Sequence, residues 1–375
     1  MDDNRVSTLE LFFDLVFVFT ITQLTAVAVH HPSADGVAQV AVMLAIVWWM
    51  YSGYAWLTNN IDLAQPTFRV FLLGAMAAYL VLALAIPNAF TSTGLTFGLA
   101  YLAIVGLHSG LFTKARSELS ARSILSIAQT NLLFAALIVA GGAIGGAAQW
   151  AIWIASGVGQ WLVPEIRGAG TFEIGPSHFV ERHGLMVIIA LGESVVAVGI
   201  GASGLAVDLS LVAIAVVGLL LVAGLAWVYF ADEDATVDAM TRADDARRFR
   251  IGVSGFGYCH YVLLFGIVLV AAGLKRATAH PFVDATTLEA IELGAGVALF
   301  LAADAAFRAL LRVDGVRPRA VAALIAPLSI PLGLVSVALE LVAVVVLLHS
   351  LVVSRLLPRP TGPGPRPASP RAQRR

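Results

Sequence analysis

The chain has 375 residues, of which 59% are apolar and 13% charged, and its mean hydropathy is +0.88. Soluble domains are nearer half apolar and a quarter charged, so this composition excludes an ordinary soluble globular protein and predicts a chain that resides in lipid. The single cysteine, Cys259, excludes an intramolecular disulfide and a cysteine metal cluster, and the net charge of −1 does not indicate any charged partner.

Apolar segments long enough to cross a bilayer recur along the chain. About 20 such residues cross the hydrocarbon core as a helix. They occur near 9–29, 36–57, 69–87, 95–113, 123–142, 146–163, 178–200, 208–230, 250–273 and 288–311. The last apolar stretch, 320–355, is too long for one span, and its PLSIPLG sequence (Pro327 to Gly333) predicts a turn between two short helices. The sequence therefore predicts an all-α, polytopic transmembrane helical bundle of about 12 spans within residues 1–356.

Basic residues are distributed unevenly between the two sides of this bundle. With 12 spans, 21 of the 23 Lys and Arg residues fall on one side, and only Lys275 and Arg276 fall on the other. The positive-inside rule then places both termini in the cytoplasm. The acidic N-terminus does not resemble a signal peptide, so we expect the first segment to remain as a span. Residues 357–375 are rich in Pro and Arg and predict a disordered basic cytoplasmic tail.

The two halves of the chain share a weak internal similarity. An offset of 171 residues pairs Glu10 with Glu181, and it pairs GYAW at 53–56 with GLAW at 224–227. Because each half would hold six spans, a duplication would give two parallel six-helix repeats, 1–165 and 171–356, as in some transporters. Chance similarity between apolar segments is the alternative explanation.

The first span carries two acids, within the stretch ELFFDLVFVFTITQL. Glu10 completes a capping box with Ser7, which explains it as a helix-start residue as readily as a functional one. Asp14 lies one turn deeper, where an ionised acid facing lipid costs roughly 2.5–3.5 kcal/mol near the bilayer centre. We therefore expect Asp14 to face the bundle and to meet a donor or water. Gln23, on the opposite side of the helix, is a further candidate.

The seventh span carries the second polar stretch, SHFVERHGLMVIIALGESVVAVG, at 177–199. His178 lies near the side of the helix that Glu181 shares with three glycines (Gly184, Gly192 and Gly199), and those glycines predict close approach of a neighbouring helix. His183 lies well round the helix. The spacing H-x-x-E-x-H is not a zinc-protease motif and no third ligand is near, so we predict no metal site.

Three other residues of this span have alternative interpretations. Glu193, beside Ser194, lies near the middle of the membrane, where it is either a neutral acid bonded to another helix or a proton or cation relay. Arg182 is interpreted as an interfacial anchor.

Elsewhere, the aromatic stretch WWMYSGYAW (Trp48 to Trp56) predicts an aromatic belt at the cytoplasmic interface. Isolated polar residues are interpreted as links between helices: His108, Asn131, His260, Asp304 and Glu340.

These stretches resemble the bacterial low-temperature-requirement protein A family. The family's N-terminal pattern corresponds to ELFFDLVFVFTITQL, its central pattern to HFVERHGLMVIIALGES, and a further segment to Tyr258–Gly273, YCHYVLLFGIVLVAAG. The resemblance extends over nearly the whole chain before the tail. It implies a multi-pass bacterial inner-membrane protein named for a growth phenotype. The family has no settled biochemical activity, so the resemblance implies candidate positions without a mechanism.

The sequence favours transport or proton or ion translocation, because acids recur in both halves and catalytic motifs are absent. Candidate ion-binding residues are Glu10, Asp14, Gln23, His178, Glu181, Arg182, His183, Glu193 and Ser194. The alternatives are an intramembrane enzyme acting on lipid or a lipid-linked substrate, with an acid or base from the seventh span, and a non-catalytic stress-response scaffold. As partners we expect the lipid bilayer and an unknown small solute or ion, without nucleic acid or a cofactor. The oligomeric state is left open.

Overall fold

The computed structural model describes residues 6–60, 65–112, 118–167, 174–280, 282–283 and 285–356, and these residues contain no strand. Its helices are α1 (Thr8–His30), α2 (Ala34–Thr58), α3 (Pro66–Ala85), α4 (Gly94–Phe112), α5 (Glu118–Ile144), α6 (Gly146–Arg167), α7 (Pro176–Gly201), α8 (Leu209–Phe230), α9 (Glu233–Arg242), α10 (Asp245–Arg250), α11 (His260–Ala279), α12 (Thr287–Leu311), α13 (Val316–Ile325), α14 (Ile330–Gly333) and α15 (Val337–Leu356). The basic tail predicted at 357–375 lies outside the described residues.

Twelve long helical segments form the bundle in the described part of the chain. Ten of them are long and apolar enough to cross a membrane. The eleventh is α6, whose Gln and Gly residues lower its hydropathy. The twelfth is the continuous run from α13 to α14. The prediction of an all-α polytopic bundle is therefore confirmed.

The predicted turn at Pro327 to Gly333 is wrong. The chain continues from α13 through a 3₁₀ turn at Ala326–Ser329 into α14, and it turns instead at 334–336, before α15. Proline lacks a backbone N–H, so the prolines make this helix irregular, and the 3₁₀ turn accommodates them without ending it. The number of helices in the bundle is the same as predicted.

Packing follows the same order in the two halves. In the first half, α1 packs on α3, α3 on α4, α4 on α5, and α6 on both α5 and α2. In the second half, α7 packs on α11, α11 on α12, α12 on α13, and α15 on both α14 and α8. The two halves meet where α1 packs on α7. This parallel packing supports an internal duplication, which stays a prediction.

Glycines permit close contacts between helices, but only some of these contacts occur at the glycines for which the sequence predicts them. A Cβ at Gly266 of α11 would lie 2.7 Å from the carbonyl oxygen of Gly296 in α12. Gly184 faces Phe230 of α8 as predicted, since a Cβ there would lie 3.3 Å from that ring. At Gly192 and Gly199 a Cβ would meet no described atom within 4 Å. The close approach predicted at these last two glycines is wrong.

The aromatic stretch of α2 lies in the core rather than in an interfacial belt. Trp48 is 1% exposed, and Tyr51 and Tyr54 are fully buried. Tyr51 packs against Phe17 of α1, with ring centroids 4.3 Å apart, and Trp48 donates a hydrogen bond of 2.8 Å to the carbonyl of Gly257. The predicted belt is therefore wrong for these residues, because their rings fill the space between α1, α2 and their neighbours.

Residues Ile251–Cys259 form a π-helix that joins α10 to α11. π-helices are rare and usually occupy a single turn, often at functional sites. Side chains satisfy carbonyls of this segment: Trp48 bonds Gly257, and His260 Nδ1 lies 2.9 Å from the oxygen of Gly255. The π-helix thus lies beside the aromatic core of α2.

Candidate functional site

Ionisable side chains meet along the contact between α1 and α7, which run side by side in the same direction. Three contacts establish this direction, because their residue numbers rise together on both helices. Glu10 meets His178, Asp14 meets Arg182, and Thr22 meets Glu193. We call the first four of these residues, Glu10, Asp14, His178 and Arg182, the α1–α7 cluster.

Asp14 and Arg182 form a fully buried ion pair. Arg182 Nη2 lies 2.9 Å from Asp14 Oδ1, and Nη1 donates to Oδ2 at 3.3 Å. Tyr51 of α2 donates a hydrogen bond of 2.7 Å to Asp14 Oδ1. The guanidinium carbon of Arg182 lies 5.7 Å from the ring centre of Phe13. Asp14 thus faces the bundle and meets a donor as predicted, whereas the interpretation of Arg182 as an interfacial anchor is wrong.

Glu10 serves both the helix start and the cluster. It forms the predicted capping box with Ser7, whose backbone N–H donates to Oε2 at 2.8 Å. Its other oxygen, Oε1, lies 3.2 Å from His178 Nε2 and 3.9 Å from Arg182 Nε. One carboxylate therefore links the N-terminus of α1 to two basic side chains of α7.

The hydrogen bonds around His178 determine which ring nitrogen carries its proton. Asn59 Oδ1 accepts the backbone N–H of Gly175 at 2.8 Å, so the side-chain nitrogen of Asn59 is the group that lies 3.2 Å from His178 Nδ1. Because that nitrogen can only donate, Nδ1 must accept and is unprotonated. His178 is therefore neutral, with its hydrogen on Nε2 beside Glu10.

The α1–α7 cluster consequently has unequal numbers of opposite charges. Among the described residues it holds two carboxylates, Glu10 and Asp14, against one permanent cation, Arg182. Both carboxylates and the guanidinium are at most 1% exposed. An unpaired buried charge is costly, so this geometry favours the uptake of one positive charge, as a proton or a cation.

Glu193 lies deeper along the same contact. Thr22 Oγ1 donates to its Oε2 at 2.7 Å, and Thr22 is eight residues from Asp14, or about 12 Å along α1 by the helical rise. The neighbouring Ser194 is buried, and its hydroxyl has no hydrogen-bond partner among the described residues. Lys275 of α11 is the cation whose charge acts on Glu193.

Three sequence candidates lie apart from the α1–α7 cluster. Glu181 is half-buried and lies near Glu233 of α9. Gln23 is half-buried and forms no hydrogen bond with a described residue. His183 is fully buried, with Nδ1 2.8 Å from the carbonyl of Phe179. The described residues contain no group of three His, Cys, Asp or Glu side chains that could hold a metal ion.

Sequence reasoning missed three partners of the site: Tyr51, Asn59 and Thr22. Tyr51 was assigned to an interfacial belt, and Asn59 lies in the loop that follows α2. The offset of 171 residues also pairs Thr22 with Glu193, but it does not predict contacts, since Glu10 meets His178 and Asp14 meets Arg182 at an offset of 168.

A second cluster of charged residues lies at the C-terminal end of α8, and all of its members except Asp232 are buried. We call Asp232, Asp304, Arg308 and Arg319 the α8-end cluster. Arg308 Nε donates to Asp304 at 3.1 Å, and its Nη1 donates to Asp232 at 2.5 Å. Arg319 pairs with Asp304 and donates to the carbonyl of Val228 at 2.7 Å. Two acids and two arginines balance each other here.

A cavity of about 110 Å³ lies between α2, α5, α6 and the π-helix. Its aromatic lining comes from Trp48, Trp49, Trp56, Trp161, Phe249 and Tyr258. Among its polar residues, Asn131 accepts a hydrogen bond of 3.1 Å from Trp49. No carboxylate of the described residues lines this cavity, so it does not provide an acid for chemistry.

A helical bundle with ten apolar segments, and with charges buried between two of them, defines a multi-pass membrane protein. The chain belongs to the bacterial low temperature requirement A protein (LtrA) family, whose model matches residues 5–354. It is 28% identical over 314 residues to an uncharacterized protein of Rhizobium meliloti strain 1021. That match covers 80% of this chain and 76% of the relative. The resemblance noted in the sequence is therefore confirmed.

Proposed function

We propose that the protein translocates protons or a small monovalent cation along the contact between α1 and α7. The observation that carries this proposal is the missing positive charge of the α1–α7 cluster. Its two carboxylates face one arginine, while hydrogen bonding keeps His178 neutral. A proton or cation that enters and leaves would neutralise the second carboxylate.

The proposed path has two sites at which the proton or cation binds. Glu10 exchanges a proton or cation beside His178, whose side chain is 13% exposed and so is the member of the cluster nearest to solvent. Glu193, which accepts a hydrogen bond from Thr22, is a second site, about 18 Å from Glu10 by the helical rise of α1 between Glu10 and Thr22. Ionisable residues spread through the depth of a membrane protein are typical of proton and ion pathways.

An intramembrane enzyme is less well supported. It would need an acid and a base at one face of the membrane beside a space for substrate. The carboxylates lie at two depths, and aromatic rings of Phe179 and Phe256 pack against His183 at 4.4 and 4.7 Å. The cavity beside α2 lacks a described carboxylate. These placements favour a carrier or channel.

We also propose that the protein lies in the bacterial inner membrane with both termini in the cytoplasm. The asymmetry of 21 basic residues against 2 supports this orientation. Reporter fusions after Arg375 and between α11 and α12 would test it. A periplasmic signal from the C-terminal fusion would overturn the orientation.

A flux assay on purified protein in liposomes tests the function. With a dye inside the liposomes that responds to the ion under test, the wild-type protein should dissipate an imposed gradient of protons, or of Na⁺ or K⁺. Asp14→Asn should abolish this flux, because the cluster then holds one carboxylate and one arginine and no longer needs a mobile charge. Glu181→Gln is the matched control, since it removes a charge beside Arg182 but outside the cluster, and it should retain flux. Wild-type liposomes that pass none of these ions would reject the proposal.

A further inference from the structure

Glu340 is a buried acid that the proposed path does not use. It is the fourth residue of α15 and is 1% exposed. Two glycines leave room for its carboxyl group. A Cβ at Gly294 of α12 would lie 3.1 Å from Glu340 Oε1, and one at Gly333 of α14 would lie 3.0 Å from its Cδ. The carboxyl group is thus enclosed by three helical segments.

The hydrogen bonds of Ser329 indicate that this acid is protonated. Ser329 Oγ lies 3.4 Å from Glu340 Oε1 but only 2.8 Å from the carbonyl oxygen of Ala326. A hydroxyl has one hydrogen, and the shorter contact with Ala326 takes it. An ionised Glu340 would then face the lone pairs of Ser329 across this 3.4 Å contact, whereas a protonated Glu340 can turn its own hydrogen towards Ser329 Oγ. The chain of donors then runs from Glu340 through Ser329 to Ala326.

No opposite charge compensates Glu340. In the described part of the chain, no basic side chain forms an ion pair with it, and an isolated ionised acid in such a place is costly. On α12 the nearby acids, Glu289 and Glu292, pair with Arg276. On α15 His349 is nine residues further along and bonds the carbonyl of Val345 at 2.9 Å. The described residues of α14 and its 3₁₀ turn carry no charge.

The first half of the chain holds a neutral amide at the corresponding place. Gln149 is the fourth residue of α6, as Glu340 is of α15, and it is 2% exposed. Its Nε2 donates to the carbonyl of Ala89 at 2.7 Å, and a Cβ at Gly94 of α4 would lie 3.0 Å from it. The buried polar position therefore recurs in both halves, but only the second half has a group that can take up and release a proton.

The site lies at the opposite end of the bundle from Glu10. Arg276 donates to the carbonyls of Ala28 and Val29, at the C-terminal end of α1, and it pairs with Glu292, two residues before Gly294. Glu10 lies in the first turn of α1, whereas Glu340 lies beside the N-terminal part of α12, which Arg276 links to the C-terminal end of α1. A proton bound at Glu340 is therefore separated from the α1–α7 cluster by most of the membrane.

We propose that Glu340, Ser329 and the carbonyl of Ala326 form a proton-binding site, which is occupied by a proton in the conformation described. Uptake forms the O–H bond of the carboxylic acid with a proton released by hydronium, and no oxidation or reduction takes place. The inference deepens the proposed function, because it names the proton as an ion that exchanges at the end of the bundle remote from Glu10.

Infrared spectroscopy of the full chain in lipid nanodiscs tests the site directly. At pH 7 the wild-type spectrum should contain a protonated-carboxyl band that shifts in D₂O and disappears in Glu340→Gln. The matched control is Glu289→Gln, which removes an ion-paired acid of α12 while a Gln can keep the capping box, and the band should persist there. Ser329→Ala should move the band, because the acid loses its acceptor. The inference would be overturned if Glu340→Gln folded and kept the band unchanged. If Glu340→Gln does not fold, a band that stays in place in Ser329→Ala would overturn it.

A flux measurement separates this inference from the proposed function. In liposomes, Glu340→Gln should lower proton flux at least tenfold, and Glu289→Gln should leave it unchanged. If the infrared band is lost in Glu340→Gln but no variant or wild-type protein passes protons, the binding site stands and the proposed translocation fails. If proton flux is normal in Glu340→Gln, the role of this site in proton exchange is overturned.

Discussion

The α1–α7 cluster and the α8-end cluster contain the same kinds of residue but differ in how they are paired. In the α8-end cluster two aspartates meet two arginines, and both arginines also donate to Val228 at the end of α8, at 3.2 and 2.7 Å. In the α1–α7 cluster two acids share one arginine, whose Nε has no hydrogen-bond acceptor among the described residues. The Asp232 side chain is 32% exposed, whereas the other three residues of the α8-end cluster are as buried as the carboxylates and arginine of the α1–α7 cluster. Charge balance and completed hydrogen bonding therefore distinguish a cluster that stabilises the fold from a candidate ion site.

The largest expected effect on stability lies in the α8-end cluster. Arg319→Met should lower the free energy of unfolding by about 3–5 kcal/mol, because it leaves Asp304 buried with one arginine fewer and removes a cap from α8. Arg317→Met, on an exposed side of the same helix, should change it by about 0.5 kcal/mol or less. Thermal unfolding in detergent compares the two. Equal losses of unfolding free energy in the two variants would show that the α8-end cluster does not stabilise the fold.

A smaller effect is expected for Tyr51→Phe, which removes one donor from the α1–α7 cluster. The hydrogen bond to Asp14 is 2.7 Å long and buried, and its loss should cost about 1–2 kcal/mol. Tyr54→Phe is the matched control, since its hydroxyl donates to the carbonyl of Ile104 rather than to a carboxylate. Unfolding measurements should rank Tyr51→Phe as the more destabilising. The reverse order would contradict the importance of Asp14.

Asp14→Asn should change stability by only about 1 kcal/mol or less, although it should abolish translocation. The amide keeps the shape and can still accept from Tyr51, and the remaining Glu10 and Arg182 balance each other. Asp14→Leu, by contrast, should lower the amount of folded protein in the membrane. Quantified membrane levels and complementation of a cold-growth defect, which the family resemblance suggests, would measure both properties. Full complementation by Asp14→Asn at normal abundance would reject a translocation role for Asp14.

The smallest expected effect on stability is that of His178→Gln. The His178 side chain is 13% exposed and contacts Glu10 and Asn59, both of which a glutamine can still reach as a polar side chain, so we expect a change of about 0.5 kcal/mol or less in the free energy of unfolding. Proton flux in liposomes should nevertheless fall, because the ring that lies between Glu10 and solvent is lost. His280→Gln, in an exposed position after α11, should leave both properties unchanged. Wild-type flux in His178→Gln would place proton entry elsewhere.

The sequence predicted the orientation of Asp14 because the physical constraint is local. An acid in an apolar helix must avoid lipid, and only one side of α1 offers that. The same reasoning failed for Arg182, because its partner Asp14 is 168 residues away and no local pattern indicates their contact. A lone arginine near the start of a span has the appearance of an anchor. Its burial became evident only from the packing of α1 on α7.

Other errors arose where one residue type permits two structures. Proline usually ends a helix, but Pro327 and Pro331 lie in a helical run because a 3₁₀ turn accommodates them. Glycine at helical spacing permits close packing but does not require it, so Gly192 could face open space. The 12-helix bundle was predictable because hydropathy is summed over about 20 residues, and single exceptions do not alter the sum.

The π-helix at Ile251–Cys259 has a consequence for aligning relatives of this chain. Each π-turn holds more residues than an α-turn, so the periodicity of apolar positions in α10 does not continue in phase into α11. A relative that folds this segment as an ordinary α-helix should therefore show a deletion between the positions of Arg250 and His260. Such a gap inside an apparently continuous helix would reflect a change from π-helical to α-helical winding. The flanking residues of the alignment should therefore not be shifted to close it.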